Sequence, residues 1–134
     1  MTISILRADF SDAASTIDVG MRAFEDNALS QLTMNLQTAT PEQVQHWREW
    51  RTDMAKMRID GPGRYYFKAV DDDTGEMLGF TGIYAPEVYN AEAPGQAPTP
   101  APDWINHEAE NEFRTAQTAM SRKHLGERKD VWCQ

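Results

Sequence analysis

The chain has 134 residues, of which 40% are hydrophobic, enough to bury one core of ordinary size. Lys and Arg number 13 against 21 for Asp and Glu, so the net charge is −8, which disfavours nucleic acid and anionic lipid as partners. The N-terminus lacks the apolar run of a signal peptide, and no stretch approaches the ~20 apolar residues of a membrane span. We therefore predict a single soluble, cytoplasmic domain over residues 1–134, with neither nucleic acid nor membrane as a partner.

The first segment has the pattern of a strand followed by a helix. Ile3 and Ile5 alternate with a polar residue, and Asp12 is placed to cap the helix that follows. Gly20 inside this helix favours a close approach to a sheet, because glycine otherwise costs about 1 kcal/mol there. Residues at spacings of four and three form one apolar helical face: Ile17, Met21 and Phe24.

A second helix begins at Thr40-Pro41-Glu42-Gln43, which combines an N-cap, a proline in the first turn and a capping-box glutamine. Gly61-Pro62-Gly63 predicts its end. An apolar stripe along it can pack into the core or line a ligand site, and core packing is the favoured interpretation. The stripe contains Trp47, Trp50, Met54 and Met57.

Residues 64–70 and 77–84 are rich in aromatic and β-branched residues and flank a short acidic loop, which predicts an antiparallel hairpin. The second of these strands is largely apolar on both faces, so we expect it to be central in the sheet. Gly79 and Gly82 within it predict a bulge or a close contact with a neighbouring element.

Residues 86–102 are rich in proline and alanine and predict a loop insertion into the domain. Asp103 can then cap a third long helix, whose stripe of Ile105, Ala109, Phe113, Ala116 and Met120 we expect to cover one face of the sheet. Residues 130–134 have the composition of a further strand. The predicted fold class is α+β, with an antiparallel or mixed sheet of about four strands flanked by helices.

Two groups of residues invite a metal-site interpretation. The acidic loop at 71–73 lacks the ligand spacing and late glutamate of an EF-hand. His107 and Glu110 lie one helical turn apart, but the sequence places no third ligand beside them. No metal is therefore expected.

The order of elements and three stretches of sequence resemble the N-terminal half of the GNAT superfamily of N-acetyltransferases, and most of all its fungal members. The stretches are Leu6-Arg7-Ala8-Asp9 with Asp12-Ala13, Ala23-Phe24 ahead of Leu29, and Lys68-Ala69-Val70-Asp71 with Thr74-Gly75-Glu76-Met77-Leu78-Gly79-Phe80. The stretches lie within residues 6–80, and together with the order of elements they extend the resemblance over nearly all of the chain.

The resemblance implies transfer of an acyl group from acetyl-CoA to an amine. In the family, an R/Q-x-x-G-x-G/A loop after the fourth strand cradles the cofactor pyrophosphate at a helix N-terminus. The fourth strand would be residues 130–134 here, with that loop absent after it, so no cofactor-binding or catalytic residue is assigned and binding of acetyl-CoA by this chain is doubtful. The acceptor side of the family site implies a substrate-binding set of Phe24, Glu25, Asp26, Asn27, Leu29 and Tyr84.

Three hypotheses follow for the function. The chain is the front portion of an N-acyltransferase acting on a small amine and inactive alone, or it is a non-catalytic interaction protein. In the second case a homodimer or a partner chain would cover the open edge of the sheet. An active enzyme with an unrecognised cofactor site is the third hypothesis and the least favoured.

Overall fold

The computed structural model describes residues 1–35, 37–86 and 98–126. In that part the chain is α+β, with a three-stranded antiparallel sheet and four α-helices. The elements follow in the order β1 (Ile3–Arg7), a short 3-10 helix (Phe10–Asp12), α1 (Ala13–Ala23), α2 (Ala28–Thr33), α3 (Pro41–Ile59), β2 (Arg64–Asp71), β3 (Met77–Tyr84) and α4 (His107–Leu125).

The sheet has the order β1-β2-β3, and both pairs are antiparallel. Leu6 lies opposite Lys68, and Lys68 in turn lies opposite Phe80. Among the described strands β2 is the central one, because it pairs with both β1 and β3. The expectation that β3 is central in a sheet of about four strands stays a prediction. The predicted strand at 130–134 lies outside the described residues.

The two glycines of β3 differ in their surroundings. A Cβ atom on Gly82 would lie 2.9 Å from the ring of Tyr66, so the predicted close contact is confirmed at this position. A Cβ atom on Gly79 would meet nothing within 4 Å. The register between β2 and β3 shifts beside Gly79, at Ala69/Val70, and this shift is the predicted bulge.

One face of the sheet packs against α1 and α3 and contains the core. The core cluster joins residues of β2, of α3, of the start of α1 and of the segment that follows β1: Ala8, Ala13, Ile59 and Tyr66, with Ala55 and Tyr84 packed against them. Two ion pairs support this packing. Arg48 of α3 binds both carboxylate oxygens of Asp18 of α1 at 2.7 and 2.6 Å, and Lys68 of β2 binds Asp12.

The predicted starts of α3 and α1 are both found, with Asp12 at the N-cap position of α1, but only α3 has the expected capping hydrogen bonds. Thr40 accepts a hydrogen bond from the backbone N–H of Gln43, whose side chain accepts one from the N–H of Thr40, forming the complete capping box. Asp12 makes no side-chain capping bond to α1, because its carboxylate accepts from Lys68 and from the N–H of Asp9. Asp9 instead caps the 3-10 helix that precedes α1.

The last helix, α4, begins later than the sequence suggests. Asn106, and not Asp103, provides the cap, since its side-chain oxygen accepts from the N–H of Ala109. Gly126, with a φ of 62°, ends the helix. The main contact of α4 is with α2 and not with the sheet, which corrects the expected role of its apolar stripe. Phe113 on that stripe remains 48% exposed.

Residues 98–102 of the predicted insertion form no helix or strand, and Pro102 at its end is fully buried. Residues 87–97 lie outside the described part. Within residues 1–35, 37–86 and 98–126, no helix combines the length and the apolar character needed to cross a membrane.

Candidate functional site

A cavity of about 820 Å³ lies among α1, α2, α3 and the part of β3 that contains Phe80. We call it the large cavity. Its volume falls within the range of about 300–1,000 Å³ that is typical of small-molecule sites. Residues from five helices and strands line it, including Ile17, Met21, Trp47, Phe80 and Phe113. Most of this lining is apolar, so the cavity suits a ligand with a hydrophobic body.

The apolar face predicted for α1 forms one wall of the large cavity, with Ile17, Met21 and Phe24 all in its lining. Gly20 lies in the same wall. A Cβ atom there would meet nothing within 4 Å, so the predicted close approach of this glycine to the sheet is wrong. The reason is that α1 turns this part of its surface toward open space.

Four of the six residues in the predicted substrate-binding set line the large cavity: Phe24, Glu25, Asn27 and Leu29. Asp26 sits between two of them in sequence but is not part of the lining. Tyr84 also lies elsewhere, because its ring packs edge-on against Tyr66 in the core, with the ring centroids 6.0 Å apart. The structure therefore brings the α1–α2 connector to the cavity and leaves Tyr84 outside it.

Local hydrogen bonds explain how the connector is held. Phe24 ends α1, with its N–H donating to the carbonyl of Gly20. Asn27 caps α2, and its side-chain oxygen accepts from the N–H groups of Leu29 and Ser30 at 2.9 and 3.4 Å. Because that oxygen is engaged, Asn27 serves chiefly to fix the connector. Glu25 is exposed, and it is the carboxylate of the predicted substrate-binding set that lines the large cavity.

A second cavity, of about 230 Å³, adjoins the large one and includes Trp50, Ile105 and Glu110 in its lining; we call it the small cavity. Six residues line both cavities: Leu29, Ser30, Met34, Trp47, Arg51 and Phe113. Trp47 is only 5% exposed, so this indole belongs both to the packed interior and to a cavity wall.

Arg51 lines both cavities, and its sequence pattern alone does not indicate this position. It follows the indole stripe of α3 directly, and a charged residue beside an apolar stripe is ordinarily read as solvent-facing. In the structure its guanidinium lies over the rings of Trp47 and Trp50, 5.8 and 5.7 Å from their centroids. The signal in the sequence is an arginine that directly follows Trp50 and lies one helical turn after Trp47, a combination suited to cation–π stacking.

The Tyr66–Tyr84 pair is a buried polar contact away from both cavities. The two hydroxyl groups are hydrogen-bonded to each other. Burial, followed by this hydrogen bond, raises the pKa of the Tyr66 phenol well above its ordinary value. Neither tyrosine lines a cavity, so this pair contributes to stability and not to the site.

The segment Arg58-Ile59-Asp60-Gly61-Pro62-Gly63 matches the letters of the phosphate-binding pattern R/Q-x-x-G-x-G/A. It joins the end of α3 to the start of β2, whereas such a loop must open a helix to offer its free N–H groups to an anion. The N–H of Gly61 already donates to the carbonyl of Arg58. The segment is a helix-ending turn in this fold.

No group of three or more His, Cys, Asp and Glu residues that could hold a metal ion occurs in the described ranges. His107, one of the two ligands considered from sequence, is instead hydrogen-bonded through Nε2 to the carbonyl of Pro102 at 2.8 Å. No protein-family model matches this chain, and a search of curated proteins finds no match.

Proposed function

We propose that this chain forms the acceptor-binding part of an acyl-CoA-dependent N-acyltransferase, with the large cavity as the site for a small amine. One observation carries the proposal. The cavity is lined by Phe24, Glu25, Asn27 and Leu29, the connector residues at which the GNAT resemblance puts the acceptor. The α+β architecture, with a hairpin packed against two helices, is compatible with it.

The proposed role of the residues is binding and orientation. Apolar side chains from α1, β3 and α4 would hold the body of the acceptor, and Glu25 would attract the ammonium group at the rim. The amine must lose a proton before it attacks a thioester, and we assign that step to no residue of this chain. Acetyl-CoA would be the acyl donor by resemblance, and the described residues offer no loop that could hold its pyrophosphate.

Binding of 2-phenylethylamine, followed by tryptophan fluorescence, tests the proposal because Trp47 lies in the cavity wall. We expect saturable binding that weakens about 2- to 5-fold in Glu25→Gln, as expected for one exposed charge contact. Asp26→Asn is the matched control, since this neighbouring acid removes the same charge but lies outside the lining. No binding, or equal weakening in both variants, would overturn the proposal.

A second candidate function is a non-catalytic interaction protein, and one observation favours it. β1 lies at the edge of the described sheet, and its apolar side chains are exposed: Ile3 is 49%, Ile5 67% and Leu6 48% exposed. Edge strands of this kind pair readily with another chain. Sedimentation equilibrium of the wild type and of Ile5→Lys tests it. A dimer that the substitution dissociates supports this function, and a monomeric wild type excludes self-association through β1.

A further inference from the structure

Arg51 lies in the middle of α3 and is half-buried. Its guanidinium stacks over Trp47 and Trp50. Within residues 1–35, 37–86 and 98–126 it has no hydrogen-bond or ion-pair partner, in contrast to Arg48 one turn earlier, which binds Asp18 with two bonds. A guanidinium has five N–H donors, and none of those of Arg51 is used by a described residue.

Those donors are accessible from the cavities. Arg51 lines both the large and the small cavity. The side-chain nitrogens of Arg51 have no described partner and are not fully buried, so each of them keeps some exposed surface. A ligand in either cavity would therefore contact this side chain. Trp47 and Phe113 also line both cavities, so Arg51 shares its wall with apolar side chains.

The charges around Arg51 leave it undercompensated. Arg58 and Arg114 add positive charge nearby, and among the carboxylates of the described residues Glu110 is the one that acts on it. Glu110 is shared, because its Oε1 accepts a 2.8 Å hydrogen bond from Arg114. Burial, and then the charge of Arg58, lower the pKa of Arg51, but an arginine keeps its proton at any physiological pH.

A partly desolvated cation without a partner is costly, and an anion placed beside it recovers the lost interaction. The feature is unusual in a chain of net charge −8, where carboxylates outnumber cations. The described carboxylates leave this guanidinium unpaired while it faces an apolar cavity. That combination is the arrangement expected of a site for an amphiphilic anion.

We propose that Arg51 binds the carboxylate of a small ligand whose apolar body occupies the large cavity. This carboxylate site rests on the proposed function. With both, the acceptor is an amine that also bears a carboxylate and a hydrophobic group, which is the chemistry of an apolar amino acid. The guanidinium fork matches a carboxylate with two parallel N–H···O bonds, which a lysine could not provide. Aromatic walls at Trp47, Phe80 and Phe113 would contact the hydrophobic group.

Three related probes separate the two proposals: L-phenylalanine, 2-phenylethylamine, which lacks the carboxylate, and 3-phenylpropanoate, which lacks the amine. Each is titrated by calorimetry into the wild type, Arg51→Gln and Arg58→Gln. Arg58 is the matched control, because it adds positive charge near Arg51 but lines neither cavity. We expect Arg51→Gln to weaken phenylalanine and phenylpropanoate about 10- to 100-fold, as for a charge-assisted hydrogen bond, and to change phenylethylamine less than about twofold.

The outcomes are distinguishable. If phenylethylamine binds but Arg51→Gln leaves phenylpropanoate unchanged, the carboxylate site is refuted and the proposed function stands. If phenylpropanoate binds through Arg51 but phenylethylamine does not bind, the anion site stands and the proposed function fails. Equal weakening of all three probes would mean that Arg51 only holds the wall in shape. Should Arg51→Gln not fold, Arg51→Lys keeps the charge without the fork, and we expect about 3- to 10-fold weaker phenylpropanoate binding.

Discussion

The ammonium group of Lys68 lies 2.6 and 2.7 Å from the two carboxylate oxygens of Asp12. This pair joins the central strand β2 to the segment just before α1. The two side chains are only 19% and 13% exposed, so either charge would be left largely buried without the other. The start of α1, whose far end forms the wall of the large cavity, is therefore anchored to the sheet by one ion pair.

Lys68→Met should lower the free energy of unfolding by about 2–3 kcal/mol, because removing one partner leaves the carboxylate of Asp12 poorly solvated. This expected loss of unfolding free energy is smaller than the loss for a fully buried ion pair, because some solvent reaches Asp12 and Lys68. Urea denaturation followed by circular dichroism measures the change.

Arg22→Met is the matched control for this substitution. Arg22 pairs with Glu76 at a similar distance of 2.8 Å, but the two side chains are 62% and 54% exposed. An exposed ion pair is worth about 0–1 kcal/mol, so this variant should retain nearly all of its stability. Equal losses in Lys68→Met and Arg22→Met would contradict the anchoring role of the Asp12–Lys68 pair.

Gly82→Ala should destabilise the fold by about 1–3 kcal/mol. The new Cβ atom would lie 2.9 Å from the ring of Tyr66, a core residue, and the ring or the strand must shift to admit it. Thermal unfolding measures the effect. Gly79→Ala provides the comparison in the same strand, because its Cβ atom meets nothing within 4 Å. We expect that variant to match or slightly exceed the wild type, and a larger loss at Gly79 than at Gly82 would refute this packing.

Thr40→Ala should lower the free energy of unfolding by about 1 kcal/mol, since the first turn of α3 loses the hydrogen bond that its side chain provides to Gln43. The control is Thr118→Ala on the exposed surface of α4. Alanine is the better helix former, so that substitution should be neutral or slightly stabilising. A neutral Thr40→Ala would show that packing alone fixes the start of α3.

The elements predicted well from sequence are those that local chemistry decides. The capping box at Thr40 and the hairpin around the acidic loop depend on residues only a few positions apart, so both are readable without a tertiary structure. Asp12 shows the limit of such rules. It has the right residue type and position for a cap, but a lysine 56 residues away takes its carboxylate instead.

The candidate site was predictable only in part, for the same reason. Phe24, Glu25, Asn27 and Leu29, which line the large cavity, could be chosen because the GNAT resemblance implies an acceptor site at the connector after α1. Glu25 and Asp26 are chemically alike neighbours, and only the fold decides which of them meets the cavity. Arg51 was missed because its burial depends on elements distant in sequence.

The pH dependence of stability in the alkaline range should report on Tyr66. Its pKa is raised in the folded protein, by burial first and then by the hydrogen bond with Tyr84. Below about pH 10 the phenol is protonated in both the folded and the unfolded states, so it adds no pH dependence. Above that pH the unfolded chain releases this proton while the folded protein retains it, and stability falls by about 1.4 kcal/mol per pH unit from this one group.

Tyr66→Phe removes that titration, so its free energy of unfolding should decline less steeply than that of the wild type between pH 10 and about pH 11. Denaturant titrations across this range measure both slopes. The other ionisable side chains are the same in both proteins, so the difference between the two slopes reports on Tyr66. Thr40→Ala serves as a destabilised variant with Tyr66 intact, and it should keep the slope of the wild type. A parallel decline in Tyr66→Phe and the wild type would mean that the Tyr66 phenol ionises as readily in the folded protein as in the unfolded chain.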